Sequence, residues 1–268
     1  MAMFHPNLLR SVAMITSENG TYWGTGFFLN APHFKDPGKS TTWFVTCKHV
    51  YHDILKKGNV ANIWINRGDG TRADPLKVPL GPGSSTLSAE HGEHDVVVIS
   101  AGSFLDQAAA ENFILEILPP DRPLTRQRAE EIGVSEGDGV FILGFPVGWE
   151  GSEFHYPVAR YGTIAQIRGW FGGWHSTFLV DGSAFGGNSG SPVITKFEVG
   201  GIRGLPVVHE TYLIGMVSQH RRNPTESMDL IVVVPMDHIN ATIRIANEAA
   251  RAEYAELERA LEQGDPDP

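Results

Sequence analysis

Along most of the chain the apolar positions form short runs rich in Val, Ile, Phe and Trp, and Gly, Pro, Asn and Asp separate one run from the next. Runs of this length and composition, bounded by turn-forming residues, are typical of β-strands. They predict strands at residues 11–16, 24–29, 42–46, 61–65, 95–99, 139–144, 163–167, 176–180, 192–195, 212–217 and 230–234. Many short strands joined by glycine-containing turns favour an all-β protein that folds as barrels or as a sandwich.

The predicted strands fall into two groups, and a polar segment rich in proline and charge separates them. We therefore expect a first β lobe over residues 1–118, a connecting segment over 119–138 and a second β lobe over 139–235. After Pro235 the apolar residues recur every three or four positions, which is the pattern of an amphipathic helix. This helix is predicted over 236–264, because Gly264 and the prolines behind it cannot continue it.

Composition and charge narrow the classes of function. The 268 residues include 41% apolar and 19% charged residues, as an ordinary globular protein does. The net charge is −10 and no more than two basic residues are adjacent, so nucleic acid is not an expected partner. No apolar run approaches the ~20 residues of a membrane span, and the first residues lack the pattern of a secretory signal. We therefore expect a cytoplasmic protein that does not bind membranes.

Metal and disulfide chemistry are also disfavoured. A single cysteine, Cys47, excludes an internal disulfide and any zinc cluster that needs several thiolates. Two histidine pairs, His49 with His52 and His91 with His94, have a spacing that could suit a metal ion. Neither pair lies on a predicted helix and no third ligand follows from the spacing, so we predict neither a metal site nor a cofactor.

The strongest local signal for chemistry is a serine among glycines, since residues 186–193 read Gly-Gly-Asn-Ser-Gly-Ser-Pro-Val. Small neighbours allow a carbonyl substrate to approach the main chain, where the N–H groups of Gly187 and Ser189 could point at one developing oxyanion. Taken alone, the segment is equally well a turn between two strands. A serine hydroxyl is a weak nucleophile, so a catalytic role for Ser189 requires a base and an orienting carboxylate elsewhere.

Both partners have candidates earlier in the chain. His49 ends an apolar segment where a predicted buried strand runs out into a turn, and Asp95 begins the strand at 95–99. Each alone has an ordinary explanation, His49 as a surface histidine and Asp95 as a charge at a strand end. Together with Ser189 they occur in the chain order His, Asp, Ser that one class of serine protease uses.

The segments around these residues resemble the motifs of the trypsin/chymotrypsin-like serine proteases, which fold as two β-barrels. Thr-Cys-Lys-His-Val at residues 46–50 is similar to the histidine motif, His-Asp-Val-Val-Val-Ile at 94–99 to the aspartate motif and Gly-Asn-Ser-Gly-Ser-Pro at 187–192 to the serine motif. Two segments of the second lobe resemble those of the bacterial branch that includes HtrA-like and glutamyl-endopeptidase-like enzymes, namely residues 140–148 and 160–164. The resemblance extends over most of the chain.

This resemblance implies two six-stranded antiparallel β-barrels followed by a C-terminal helix, and a serine endopeptidase that acts on a protein or peptide substrate. It implies that Ser189 attacks the peptide carbonyl to form an acyl-enzyme, that His49 is the general base and that Asp95 orients His49. An α/β-hydrolase is disfavoured, because Ser191 stands where its motif has glycine and because His49 and Asp95 precede the serine.

One departure from the family concerns activation. Many secreted members are activated when a new N-terminus pairs with an aspartate immediately before the serine, and here that position is Asn188. An amide cannot form this ion pair, so we expect the oxyanion loop to be held by other contacts or to be ordered by a partner. The alternative function is a catalytically silent or partner-activated protease-like binding module, which the intact His49, Asp95 and Ser189 disfavour.

Substrate preference follows from the resemblance alone. It implies a pocket floor near Ser183, with Ser218 and His220 on the neighbouring strand. A neutral floor and a histidine that narrows the pocket predict a small or medium apolar residue before the cleaved bond. The C-terminal helix extends past the family's helix from about Tyr254 onward, and we expect this extension to pack on the chain's own barrel, with docking of a regulatory protein partner as the alternative.

Overall fold

The first half of the chain folds into one antiparallel sheet of seven strands. The computed structural model describes residues 6–21, 23–36, 38–147, 153–196, 210–222 and 227–262. The strands of this sheet are β1 (Val12–Ser17), β2 (Trp23–Pro32), β3 (Ser40–Thr46), β4 (Val60–Asn66), β5 (Ala73–Pro79), β6 (Ser88–Glu90) and β7 (Val97–Ser100). Their order across the sheet is β5-β4-β1-β2-β3-β7-β6, and neighbouring strands pair antiparallel.

The second half forms a closed barrel of six strands. They are β8 (Gly139–Gly144), β9 (Val158–Gln166), β10 (Phe178–Asp181), β11 (Pro192–Thr195), β12 (Leu213–Arg222) and β13 (Ser227–Pro235). The barrel closes in the order β10-β13-β12-β11-β8-β9. The predicted fold class is confirmed, since the protein is mostly β with a chymotrypsin-like fold. One detail differs, because the first lobe is a curled sheet of seven strands instead of a six-stranded barrel.

Two strands of the first sheet, β5 and β6, are not predicted from the sequence. Strand β5 contains Pro75 and Pro79, and proline weakens a strand prediction because it has no N–H to donate to a neighbour. Proline is tolerated at a sheet edge, which is where β5 lies. Strand β6 has the sequence Ser-Ala-Glu and lies at the opposite edge, so it carries no apolar run that would reveal it.

Five α-helices occur in the described residues, together with a 3-10 helix at Pro6–Ser11. They are α1 (Lys48–Leu55), α2 (Gly102–Ala110), α3 (Arg126–Glu131), α4 (Arg168–Phe171) and α5 (Met236–Glu262). The C-terminal helix is confirmed, although its predicted end at Gly264 lies outside the described residues. No helix in the described part of the chain is long and apolar enough to cross a membrane.

Helix α1 corrects the expectation for the residues after β3. The chain leaves β3 at Thr46 and enters a helix at Lys48 instead of a turn, so His49 lies in a helical first turn. The helix forms because Val50 and Ile54 are four residues apart and bury one face of it against the sheet.

One hydrophobic core joins the two lobes. It runs from the first sheet into helix α5 and includes Phe145 and Met216 of the second lobe. Helix α5 contributes the buried side chains of Ile239 and Ile243 from its first half. The barrel also has a second core of its own. Because the lobes share packed side chains, groups from both can meet at their junction.

Candidate active site

His49 and Asp95 are brought together by the pairing of β3 with β7. Thr46, the last residue of β3, lies opposite Val97, the first residue of β7. The residues just beyond these two ends therefore leave the sheet at the same place. His49 lies there in the first turn of α1, and Asp95 lies two residues before β7.

The carboxylate of Asp95 accepts three hydrogen bonds. Oδ1 accepts from the backbone N–H of His49 at 3.0 Å, and Oδ2 accepts from Nδ1 of His49 at 2.8 Å and from the hydroxyl of Ser218 at 2.6 Å. Burial raises the pKa of Asp95, but the hydrogen bonds and charge of His49 and the bond from Ser218 outweigh burial and lower this pKa to about 2. An ionised carboxylate only accepts, so Nδ1 carries the proton of neutral His49 and Nε2 is left as a base.

Ser189 faces the same cavity as His49 from the turn between β10 and β11. This cavity measures about 530 Å³, and its lining includes His49, Asp95, Ser189 and Ser218. The Ser189 hydroxyl donates to the carbonyl oxygen of Ser218 at 3.4 Å. Among the hydrogen bonds of the described residues, none joins Ser189 to His49. The structure thus brings the three predicted residues to one cavity and pairs two of them, and catalytic hydrogen bonds are often long or poorly aligned before substrate binds.

A tight turn precedes Ser189. The N–H of Asn188 donates to the carbonyl oxygen of Phe185 at 3.1 Å, and Gly187, the third residue of this turn, has a φ of 91°. A positive φ at this position is typical of a type II turn and favours glycine. A Cβ at Gly187 would also lie 2.2 Å from the carbonyl oxygen of Phe145. Within the described ranges the N–H groups of Gly187 and Ser189 donate to no protein acceptor, so both are available to a ligand.

Thr25 of β2 holds this turn from the first lobe. Its hydroxyl donates to the carbonyl oxygen of Gly187 at 2.8 Å and accepts from the N–H of Phe145 at 3.0 Å. Its backbone N–H donates to the carbonyl oxygen of Ser189 at 2.8 Å. Thr25 is fully buried, so water does not compete for these bonds. Asn188 cannot form the ion pair that holds this loop in many secreted enzymes, and here contacts from Thr25 hold the loop.

The role of Thr25 is missed by sequence reasoning, although its neighbours carry a signal. Gly24 and Gly26 flank it inside a predicted strand, and glycine within a strand often marks a close approach of another backbone. A Cβ on Gly24 would lie 3.1 Å from the carbonyl oxygen of Ser189, and one on Gly26 would overlap the ring of Phe44. The two glycines predict that another backbone segment lies close to β2, but they do not identify that segment.

The residues predicted for the substrate pocket lie in three different settings. Ser218 lines the cavity beside Ser189, and its hydroxyl also binds Asp95, a contact that the sequence does not suggest. Ser183 is exposed and does not belong to the lining of that cavity. His220 lies in β12, and its side chain lies outside the described residues. Their part in substrate selection stays a prediction.

Cys47 lies beside the site without the chemistry of a metal ligand. Its thiol donates to a backbone carbonyl oxygen at 3.2 Å. Burial, together with the charge of Asp95, raises the pKa of Cys47 well above its usual value. Metals bind the thiolate, which is disfavoured here, and His49 and Asp95 are hydrogen-bonded to each other. His52 pairs with Glu90 at 2.8 Å, so His49 and His52 are hydrogen-bonded to different carboxylates.

Comparisons with known proteins identify the family of the chain. A family model described as trypsin-like peptidase domain matches residues 24–202. No curated protein sequence matches the chain significantly. The HtrA-type protease AlgW, solved with a tripeptide, matches with a TM-score of 0.53 and 17% identity over 91% of this chain and 62% of the AlgW chain. Rv3671c from M. tuberculosis H37Rv, in the inactive form of a serine-to-alanine mutant, matches with a TM-score of 0.49 and 14% identity over 92% of this chain and 96% of that chain.

Proposed function

Since the chain belongs to the trypsin-like peptidase family and is a serine protease, we propose that His49, Asp95 and Ser189 form its catalytic triad. The observation that carries this proposal is the placement of Nδ1 of His49 on the ionised carboxylate of Asp95, at a cavity that Ser189 also lines. A histidine held in this way presents a single basic nitrogen, and a serine beside it is the group that such a base activates.

In the proposed reaction Ser189 attacks the carbonyl carbon of a peptide bond. Its hydroxyl breaks the hydrogen bond to the carbonyl oxygen of Ser218 and gives its proton to Nε2 of His49. Asp95 stabilises the resulting imidazolium without taking a proton. His49 then donates this proton to the leaving amine, which departs and leaves an acyl group on Ser189. Water, deprotonated by His49, hydrolyses the acyl-enzyme and restores the hydroxyl.

The N–H groups of Gly187 and Ser189 form the proposed oxyanion hole. The φ of 91° at Gly187 gives the turn its type II form, and neither N–H has an acceptor within the described residues. One donor is the N–H of the nucleophilic residue and the other lies two residues before it. Together they suit the negatively charged oxygen of a tetrahedral intermediate, a charge that the carbonyl oxygen of the bound substrate does not carry. The hydrogen bonds of Thr25 support this arrangement before substrate arrives.

Protein or peptide segments are the proposed substrates. The AlgW structures contain a tripeptide or a decapeptide, and AlgW shares the fold of this chain. We propose that Ser183, Ser218 and His220 take part in the pocket for the residue before the cleaved bond and favour a small or medium apolar side chain there. The proposed division of the chain, with lobes at 1–118 and 139–235, places His49 and Asp95 on one lobe and Ser189 on the other.

A fluorophosphonate probe tests the triad, because it reacts only with an activated serine beside a working oxyanion hole. We expect one label per chain in the wild type and none in Ser189→Ala. Ser191→Ala is the matched control, since Ser191 lies in the same loop but its buried hydroxyl has no hydrogen-bond partner among the described residues. We expect Ser191→Ala to label like the wild type. Labelling that survives in Ser189→Ala would show that another residue is the nucleophile.

The second candidate function is the silent or partner-activated binding module. The observation in its favour is the bond of the Ser189 hydroxyl to Ser218 instead of to His49. Under this alternative the folded chain alone takes no label and hydrolyses no peptide. Hydrolysis of a casein-like substrate by the isolated wild-type chain, lost in Ser189→Ala, distinguishes the two functions.

A further inference from the structure

Three histidines that the proposed reaction does not use lie together between the loop before Asp95 and the start of α5. The ring centroids of His94 and His238 are 3.6 Å apart, those of His91 and His94 are 4.5 Å apart and those of His91 and His238 are 5.3 Å apart. One nitrogen of each ring lies within 4.8 Å of the corresponding nitrogens of the other two. All three side chains are partly buried.

The hydrogen bonds of these rings leave lone pairs without donors. Nε2 of His238 lies 2.9 Å from the carbonyl oxygen of Ser176, which can only accept, so Nε2 carries the proton. Nδ1 of His238 accepts no hydrogen bond from the part of the chain that the structure describes. Within the described residues the ring of His94 makes no hydrogen bond. Nδ1 of His91 accepts from the N–H groups of Glu93 and His94, each at 3.1 Å.

The surroundings disfavour protonation of the rings. Burial lowers the pKa of His91 and of His94, and the charge of Lys48 acts in the same direction on both. The charge of His94 also lowers the pKa of His91. Burial, followed by the charge of His94, lowers the pKa of His238 to about 4. Neutral imidazole is the form that binds a metal ion. The charge of Glu93 raises the pKa of His91 and His94, and the charge of Asp237 raises the pKa of His238, which means that both carboxylates favour a cation at the cluster.

We propose that His91, His94 and His238 bind a divalent transition-metal ion of the zinc class. Imidazole nitrogens are ligands that zinc prefers, and three of them leave one position for water. A tetrahedral zinc site places its nitrogens ~3.3 Å apart, so the rings close around the ion by about an ångström. The carbonyl oxygen of Ser176 holds the tautomer of His238 in the manner of an outer-shell partner.

His94 and His238 are the first two ligands of the site. His91 joins them when its ring turns over, which exchanges its hydrogen bonds from Glu93 and His94 for a bond to the metal. The ion then ties residues 91–94 to the first turn of α5 and so restrains the loop that ends at Asp95. None of the three ligands belongs to the proposed triad, although His94 also lines the cavity that His49 and Ser189 share. We therefore assign the ion a structural role at the edge of the proposed active site.

Zinc binding by the full, untagged chain tests this proposal. After dialysis against zinc we expect one ion per chain by elemental analysis and a melting temperature several degrees above that of the chelator-treated protein. At a free zinc concentration 100 times the dissociation constant, the unfolding equilibrium constant falls about 100-fold. Neither measurement depends on peptide hydrolysis, so its outcome is independent of the proposed triad.

Three variants test which residues bind the ion, and a fourth is the control. His94→Asn and His238→Gln should lose both the bound zinc and the shift in melting temperature, and the glutamine keeps an N–H donor for the Ser176 carbonyl oxygen. His91→Asn should bind zinc more weakly, since asparagine accepts the same two backbone N–H groups but removes the third imidazole. His52→Asn is the control, because His52 is an exposed histidine beside a carboxylate and is expected to leave binding unchanged. The proposal is overturned if the wild type retains no zinc, or if His94→Asn and His238→Gln retain as much as the wild type.

Discussion

The Thr25 hydroxyl connects two backbone groups at the edge of the proposed oxyanion hole. It donates to the carbonyl oxygen of Gly187 in a partly buried bond and accepts from the N–H of Phe145 in a buried bond. The carbonyl of Gly187 belongs to the residue whose N–H is a proposed oxyanion donor. Through these bonds Thr25 is a positioning residue, since it fixes the turn without touching the reacting atoms.

Thr25→Val removes this hydroxyl and keeps the shape of the side chain. We expect kcat to fall by about 10- to 100-fold, less than the full loss of an oxyanion donor costs, while KM changes little. Stability should fall by about 1–3 kcal/mol, because the N–H of Phe145 loses its partner. Steady-state kinetics and the rate of fluorophosphonate labelling measure the effect.

Thr25→Ser is the control for this prediction. Serine keeps the hydroxyl, so most of the labelling rate should return even if the missing methyl group lowers stability. Equal labelling rates in Thr25→Val and in the wild type would mean that the backbone contact from Thr25 to Ser189 is sufficient to hold the turn.

At the scale of single elements, the short helix α4 is fixed by one carboxylate from a neighbouring loop. Oε1 of Glu136 accepts from the N–H groups of Ile167 and Arg168 at 2.9 and 3.1 Å, and Oε2 accepts from Nε of Arg168 at 3.1 Å. A helix of four residues cannot satisfy its own first N–H groups, so an outside acceptor caps it. The carboxylate also lies favourably at the positive end of the helix.

The charge of Glu136 should therefore support stability in a pH-dependent way. Burial raises its pKa, but the backbone hydrogen bonds and Arg168 outweigh burial and lower this pKa to about 2. A lowered pKa stabilises the fold above the unfolded value of about 4.3, and this contribution is lost as pH falls toward 2. We expect Glu136→Gln to lower the urea midpoint at pH 7 and the difference from the wild type to shrink below about pH 4. A constant difference from pH 7 to 3 would contradict this account.

Helix α5 is divided into a half that packs on the body of the protein and a half that is largely exposed. Ile239 is 0% exposed in the shared core, whereas Tyr254 is 44% exposed. Tyr254 nevertheless contacts the body, since Nζ of Lys35 lies 3.0 Å from the centre of its ring. This contact agrees with packing of the helix extension on the chain itself, and docking of a regulatory partner there stays a prediction.

The two halves of α5 should respond differently to truncation of a side chain. Ile239→Ala leaves a cavity in the core and should lower the free energy of unfolding by about 2–5 kcal/mol. Tyr254→Ala removes only a surface contact and should cost less than about 1 kcal/mol. Urea unfolding of both variants measures the difference, and equal losses would show that the exposed half carries as much packing energy as the buried half.

At the scale of the whole molecule, packed side chains and hydrogen bonds hold the lobes together without a disulfide. Cys47 is fully buried and is the single cysteine, so no disulfide links the lobes. Its side chain lies under the proposed site and contacts the second lobe through a backbone carbonyl group. Activity should therefore depend on the integrity of the shared core and not on redox conditions.

Strong reductant is expected to leave both activity and melting temperature unchanged. A chromogenic thiol reagent should modify Cys47 only when the protein opens, because the native thiol is inaccessible and its raised pKa disfavours the reactive thiolate. The modification rate should rise with urea in parallel with unfolding. Fast modification of the native protein at neutral pH would contradict the burial of this side chain.

Much of the fold can be predicted from the sequence, because most strands carry their own apolar run and turn-forming ends. Strand β5 with its prolines, the three-residue β6 and the short helix α4 cannot, since pairing at a sheet edge or a cap from Glu136 stabilises them from outside. The predicted turn at His49 was wrong for a related reason. Helix α1 is stabilised by burial of one face on the sheet, and a single segment does not reveal this burial.

The sequence by itself determined which residues are the candidates for the chemistry, because a nucleophile, a base and a carboxylate are proposed from residue type, local neighbours and chain order. Only the tertiary structure decided their geometry and their supporting contacts. Thr25 reaches Gly187 and His238 reaches His94 because distant strands and a C-terminal helix pack against one core. Contacts between residues more than a hundred positions apart leave no periodicity along the chain. They follow from the folding of both lobes around shared side chains, which no local pattern of hydrophobic and polar positions encodes.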